Sequence, residues 1–122
     1  MSVLVVDDDP GVLRAHSQIF ERAGFEVVAV TNAFDALEAI KTTQFKAIVC
    51  DHKMPNLAGG TFFEQLEEFF TNLASRVVFV TGWAEDGEVE PVLRRLGQPV
   101  LLKPVEVDEL VREVKRVYSR PG

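Results

Sequence analysis

Four apolar runs in this chain each end in residues that carry chemistry. VLVV leads into Asp7 and Asp8, AIVC into Asp51, VVFV into Thr81, and VLL into Lys103. Longer amphipathic segments separate the runs. Strand and helix patterns alternate through the chain, which predicts an α/β fold with a parallel sheet. In such a sheet the carboxyl ends of all strands share one edge. Three carboxylates, one hydroxyl and one ammonium then converge on a single pocket.

The pattern predicts strands over 3–6, 26–30, 47–50, 76–80 and 100–102. Five helices alternate with them. Asp9-Pro10 opens the first, because Asp is a good N-cap and Pro suits the first turn. Val12, Leu13, His16, Ile19, Phe20 and Ala23 follow at helical spacing, and Gly24 stops the helix. Asn32 caps a second helix with Ala33, Ala36, Leu37 and Ile40 inward. Phe62, Phe63, Leu66, Phe69, Phe70 and Leu73 predict a third with one broad apolar face. Val89, Val92, Leu93 and Leu96 mark a fourth, starting near Pro91. Leu110, Val111, Val114, Val117 and Tyr118 face a final one.

The runs ending at Asp8, Asp51 and Thr81 are almost wholly apolar, as central parallel strands are. The second strand holds Glu26 and the fifth is short, so both suit edges. The expected order is therefore 2-1-3-4-5. Right-handed crossovers place helices on both faces. Ligands in such sheets bind above the carboxyl ends where the strand order reverses, here between strands 1 and 3. Asp7, Asp8 and Asp51 fall there.

The chain has 122 residues, 47% of them hydrophobic and 26% charged, which fits a single domain over 1–122. Its net charge of −6 argues against direct nucleic-acid binding, which needs a basic surface. Arg112, Lys115 and Arg116 alternate with Glu109 and Glu113, as on a solvated face. No apolar stretch approaches the roughly 18 to 20 residues that span a bilayer. Nothing reads as a signal peptide, so a cytoplasmic setting without membrane insertion is expected. The one cysteine, Cys50, lies inside an apolar run and reads as a small buried hydrophobe.

Clustered carboxylates repel one another, so protons or a cation must neutralise them. Mg²⁺ prefers hard oxygen ligands and suits this set. With the ion bound, one carboxylate can attack a phosphoryl group. Asp51 is the natural nucleophile, alone at a central strand end before a loop rich in turn formers. Lys103 and Thr81 supply a second cation and a hydroxyl donor.

These motifs resemble the receiver domain of bacterial response regulators, which is flavodoxin-like. The matching segments are VLVVDDDP, IVCDHKMP, VFVTG and LLKP, with 30 residues from Asp51 to Thr81 and 22 from Thr81 to Lys103. The resemblance covers essentially the whole chain. It implies that Asp51 takes a phosphoryl group from a phosphohistidine on a sensor histidine kinase or phosphotransfer protein. Asp8 and Asp51 would ligate Mg²⁺ directly, Asp7 mainly through water, and Lys53 through its carbonyl. Lys103 would contact the phosphoryl group and Thr81 would reorient toward it. The resemblance also implies a cis Lys103-Pro104 bond and allows a phosphorylation-dependent dimer.

One departure bears on output. The family usually has an aromatic residue three positions before the lysine, and here that position is Val100. A binding-only scaffold that has lost its switching is the alternative this raises. LGQPVLLKP and TGW look more like receivers attached to hybrid sensor kinases. A phosphohydrolase of the haloacid type would need a second Asp two positions after the nucleophile, where Lys53 stands. A flavin site fails for want of a phosphate loop after the first strand. Trp83 and Lys53 are expected to flank the mouth of the site, with Trp83 shielding an acyl phosphate. His52 and His16 read as ordinary surface or packing residues.

Overall fold

A computed structural model describes residues 2–51, 66, 68–81, 100–102 and 105–119; at 51, 71, 81, 100 and 102 the description is of the backbone. The described elements are β1 (Ser2–Val6), α1 (Pro10–Arg22), β2 (Glu26–Val30), α2 (Ala33–Thr42), β3 (Ala47–Asp51), α3 (Thr71–Ala74), β4 (Val77–Thr81), β5 (Val100–Leu102) and α4 (Val107–Tyr118). The helix expected over 89–96 lies outside the described residues.

The five strands form one parallel sheet in the order β2-β1-β3-β4-β5. Alternation of side chains along each strand divides the core into two layers. Leu4, Val6, Ile48, Cys50, Val77 and Phe79 pack with Ala33, Ala36 and Ile40 of α2. Val3, Val5, Val49, Val78 and Val80 pack with Leu13 and Phe20 of α1 and with Leu110, Val114 and Val117 of α4. Helices thus cover both faces, and the central strands are apolar because neither face meets water. Cys50 is fully buried in the first layer.

Local chemistry sets the helix ends. The Asp9 side chain accepts from the Gly11 and Val12 amides at 2.9 and 3.3 Å. Asn32 accepts from the Asp35 amide at 2.7 Å and donates to the Asp35 carboxylate at 3.0 Å. Each satisfies amides that a helix start leaves without partners. After α1, Gly24 takes φ +95°, where a Cβ would meet nothing within 4 Å. Backbone conformation, not space, therefore asks for glycine there.

Two sequence expectations are corrected. The stripe from Phe62 to Leu73 predicts one helix with all six apolar side chains inward. Leu66 is fully buried, but Phe70 has φ −139° and ψ 59°, which interrupts the helix before α3. Phe69, before the break, is 67% exposed, so not all of the stripe turns inward, and Phe62 and Phe63 lie outside the described residues. The fourth strand begins at Val77 and not at Arg76. The Arg76 amide closes a turn on the Leu73 carbonyl at 2.9 Å, while its own carbonyl accepts from the Ile48 amide at 3.0 Å.

Arg76 is also one of two buried polar residues among those described. Its Nη1 donates to the carbonyls of Val117 and Tyr118 at 3.0 and 2.9 Å. A cation there complements the negative end of α4 and caps carbonyls that lack helical partners. The contact ties the start of β4 to the end of α4. Arg76→Ala is expected to lower unfolding free energy by about 2 to 4 kcal/mol, since charge-assisted bonds are lost and buried carbonyls are left unpaired. Urea denaturation checks this, and a loss below about 0.5 kcal/mol, the size of an ordinary surface change, would contradict it.

Candidate functional site

The carboxyl edge of the sheet is built by register. Val6 of β1 pairs with Val30 of β2 on one side and with Cys50 of β3 on the other. The Asp7 amide donates to the Val30 carbonyl at 3.2 Å, so the chain keeps the line of the strand for one residue more. Asp51 directly follows Cys50, ends β3 and pairs with Val80. Asp7 and Asp51 are therefore next to one another across two hydrogen-bonded strands, whose backbones run about 4.8 Å apart. Thr81 ends β4 and pairs with Leu102, the last residue of β5.

Sequence reasoning expected Asp7, Asp8, Asp51 and Thr81 at one edge, and the backbone brings all four to it. Lys103 directly follows Leu102 but lies outside the described residues, as do His52, Lys53, Trp83 and Pro104.

The three acids that open the site differ in their surroundings. Asp7 is buried, 2% exposed, and its Oδ1 accepts from the Asp9 amide at 2.9 Å. Asp8 is exposed at the edge. Asp9 is exposed too, but its carboxylate is committed to the start of α1. Adjacent acids in one sequence thus do separate jobs: Asp7 is held rigidly, Asp8 faces outward, and Asp9 caps a helix.

The donor set at this edge consists of carboxylate oxygens, which fit a hard cation such as Mg²⁺. Among the described residues no group of three His, Cys, Asp or Glu gathers into a metal site. The set expected from sequence also draws on the Asp51 side chain and on Lys53, which lie outside that description.

Two exposed apolar residues escaped the sequence reading. Phe34, in the first turn of α2, is 67% exposed, and Val107, the first residue of α4, is 51% exposed. Both helices start at the carboxyl edge, and both residues sit off the inward stripe of their helix. Periodicity gave no reason to single them out.

A doubly wound parallel sheet with acids at its switch point defines a flavodoxin-like fold with a polar site on its carboxyl edge. The chain belongs to the response regulator receiver domain family, whose model matches residues 3–115. It is 30% identical over 119 residues to the hydrogenase transcriptional regulatory protein HoxA of Bradyrhizobium diazoefficiens, covering 97% of this chain and 24% of that protein. It is 30% identical over 115 residues to the sensor histidine kinase GacS of Pseudomonas protegens, covering 92% of this chain and 12% of that protein. Among solved structures, the Francisella response regulator 1452 receiver domain aligns with a TM-score of 0.83 at 28% identity, covering 98% of this chain and 97% of that one.

The chain therefore spans about a quarter or less of these two curated relatives. A transcriptional regulator and a sensor kinase match it at the same identity, so the likeness to hybrid kinases seen in sequence is not selective. Receiver domains bind Mg²⁺ for phosphorylation and work with histidine kinases or phosphotransfer proteins. No described helix is long and apolar enough to cross a membrane.

The separate jobs of the acids can be tested. Asp9→Ala is expected to cost about 1 kcal/mol of stability, and Asp9→Ser close to nothing, because Ser also caps. Thermal or urea unfolding reads the difference. Equal losses for the two variants would show that capping is not what Asp9 contributes.

Proposed function

We propose that residues 1–122 form one receiver unit that accepts a phosphoryl group on Asp51 with Mg²⁺. The observation that carries the reading is the β1–β3 register, in which Val6 pairs with Cys50 and so sets Asp7 beside Asp51. Acids from two strands at one edge are what a shared cation requires. Asp8 and Asp51 would hold the ion directly, Asp7 through water, and the Lys53 carbonyl would complete the protein ligands. Bound there, Mg²⁺ offsets negative charge on the carboxylates and on the incoming phosphoryl oxygens.

The chain's own residues then divide the work. An Asp51 carboxylate oxygen forms the new bond to phosphorus as the phosphorus–nitrogen bond of the donor's phosphohistidine breaks, and the imidazole keeps that electron pair. Lys103 neutralises the transferred group, and the Thr81 hydroxyl donates to it. Asp7, buried and bonded to the Asp9 amide, keeps the acidic edge in position. The donor is a sensor histidine kinase or a phosphotransfer protein, and the setting is cytoplasmic.

A second reading is favoured by Val100. It opens β5 and pairs with Phe79, at the position where the family usually has an aromatic residue. A chain without that ring can take phosphate yet lack the inward swing that alters partner binding. In that case the domain is a scaffold whose partner affinity is independent of phosphorylation.

Labelling by acetyl phosphate separates these outcomes. The parent chain is expected to form a Mg²⁺-dependent acyl phosphate, Asp51→Asn none, and Asp8→Asn one that forms at least about tenfold more slowly. Undiminished labelling of Asp51→Asn would sink the assignment. Stable labelling with no change in partner affinity would favour the scaffold.

A further inference from the structure

At the opposite edge of the sheet, where the strands begin, lies a groove of about 440 Å³ between the end of α2, the α2–β3 connection and the segment around α3. Phe45, Phe70 and Leu73 give it apolar walls. Three of its lining residues, Lys41, Lys46 and Arg76, are cations, and none of them is Asp or Glu. The chain as a whole carries −6, so this groove reverses the sign of the rest.

A second hollow of about 390 Å³ shares Phe70, Asn72 and Leu73 with the first and adds Phe69. The two hollows therefore adjoin the same short segment, and a 67% exposed phenyl ring, Phe69, lines the second. Isolated surface hydrophobes are common, but an exposed ring continuous with half-buried Phe70 and Leu73 forms a patch.

The cations are placed to receive an anionic partner. Lys41 and Lys46 are exposed. Lys41 is engaged only by a solvent-exposed pair with Glu38 at 3.1 Å, a kind of contact that exchanges at little cost. Lys46 lines the groove too, and its ammonium rests 5.7 Å from the centre of the Tyr118 ring, outside the groove, in a weak contact that an anion can replace. Arg76 is committed to the end of α4 and adds a buried, permanent positive charge behind the wall.

We propose that this groove docks an acidic peptide segment that carries an aromatic or aliphatic anchor. The anchor fills the space beside Phe69, Phe70 and Leu73, and the acids meet Lys41 and Lys46. The groove lies on the edge away from Asp51, so a bound segment leaves the phosphoacceptor edge open to its donor.

The test is selection of random displayed peptides on the immobilised full chain, followed by affinity measurement of the winners. Enriched sequences are expected to combine Asp or Glu with one large apolar residue. Their affinity is expected to fall about tenfold on the double variant Lys41→Glu/Lys46→Glu and on Phe69→Ser, and to weaken as salt rises. All three positions are exposed, and circular dichroism of the variants checks that they fold. Failure to enrich any peptide, enrichment of basic or uncharged ones, or affinity indifferent to the lysine variants would overturn the proposal. So would sedimentation showing that a second copy of the chain fills the groove.

Discussion

The pairing of β1 with β3 is what the acidic edge depends on. Val6 opposite Cys50 sets the level of one strand against the other, and the next residue on each is an aspartate. A slip of one residue would turn the aspartates to different levels and move every β1 side chain to the other face of the sheet. The cores on the two faces forbid that slip. Leu4 and Val6 belong to one layer and Val3 and Val5 to the other, all fully or almost fully buried. Packing thus sets where the backbone places the acids.

The same logic explains why one short sequence, Asp7-Asp8-Asp9, can serve three ends. Burial and an amide bond hold Asp7, exposure leaves Asp8 open, and capping uses up Asp9. The helix that Asp9 starts packs Leu13 and Phe20 onto the sheet, so the site and the core are joined within a few residues. At the far edge, Arg76 does comparable work by fastening α4 to β4. Acids gather above the strand ends, and Lys41, Lys46 and Arg76 line the groove below the strand starts.

Apolar runs announced the strands well, because central parallel strands are buried on both faces and admit little else. β2 and β5 have the bounds the pattern predicts, and the strand order followed from the polarity of the edges. The third helix was misread because a periodic stripe presumes an unbroken helix. Nothing about Phe70 in the sequence warns of the interruption there. Arg76 looked like the start of a strand, since a buried arginine is recognisable only once the carbonyls it serves, 41 and 42 residues away, are known. The place of the acids at the carboxyl edge was legible in the sequence, because each follows an apolar run that forms a strand. The groove was not, because its cations and its rings come from segments some 30 residues apart that only the fold brings together.

That acids on neighbouring strands form one cation-dependent acceptor is most directly tested by a double-mutant cycle read by Mg²⁺ titration calorimetry. Parent, Asp8→Asn, Asp51→Asn and the double variant would be compared. If both residues hold one ion, the double variant binds Mg²⁺ little more weakly than either single variant, so the losses are strongly non-additive. Independent, additive losses, or a parent chain that takes up no Mg²⁺, would contradict the account.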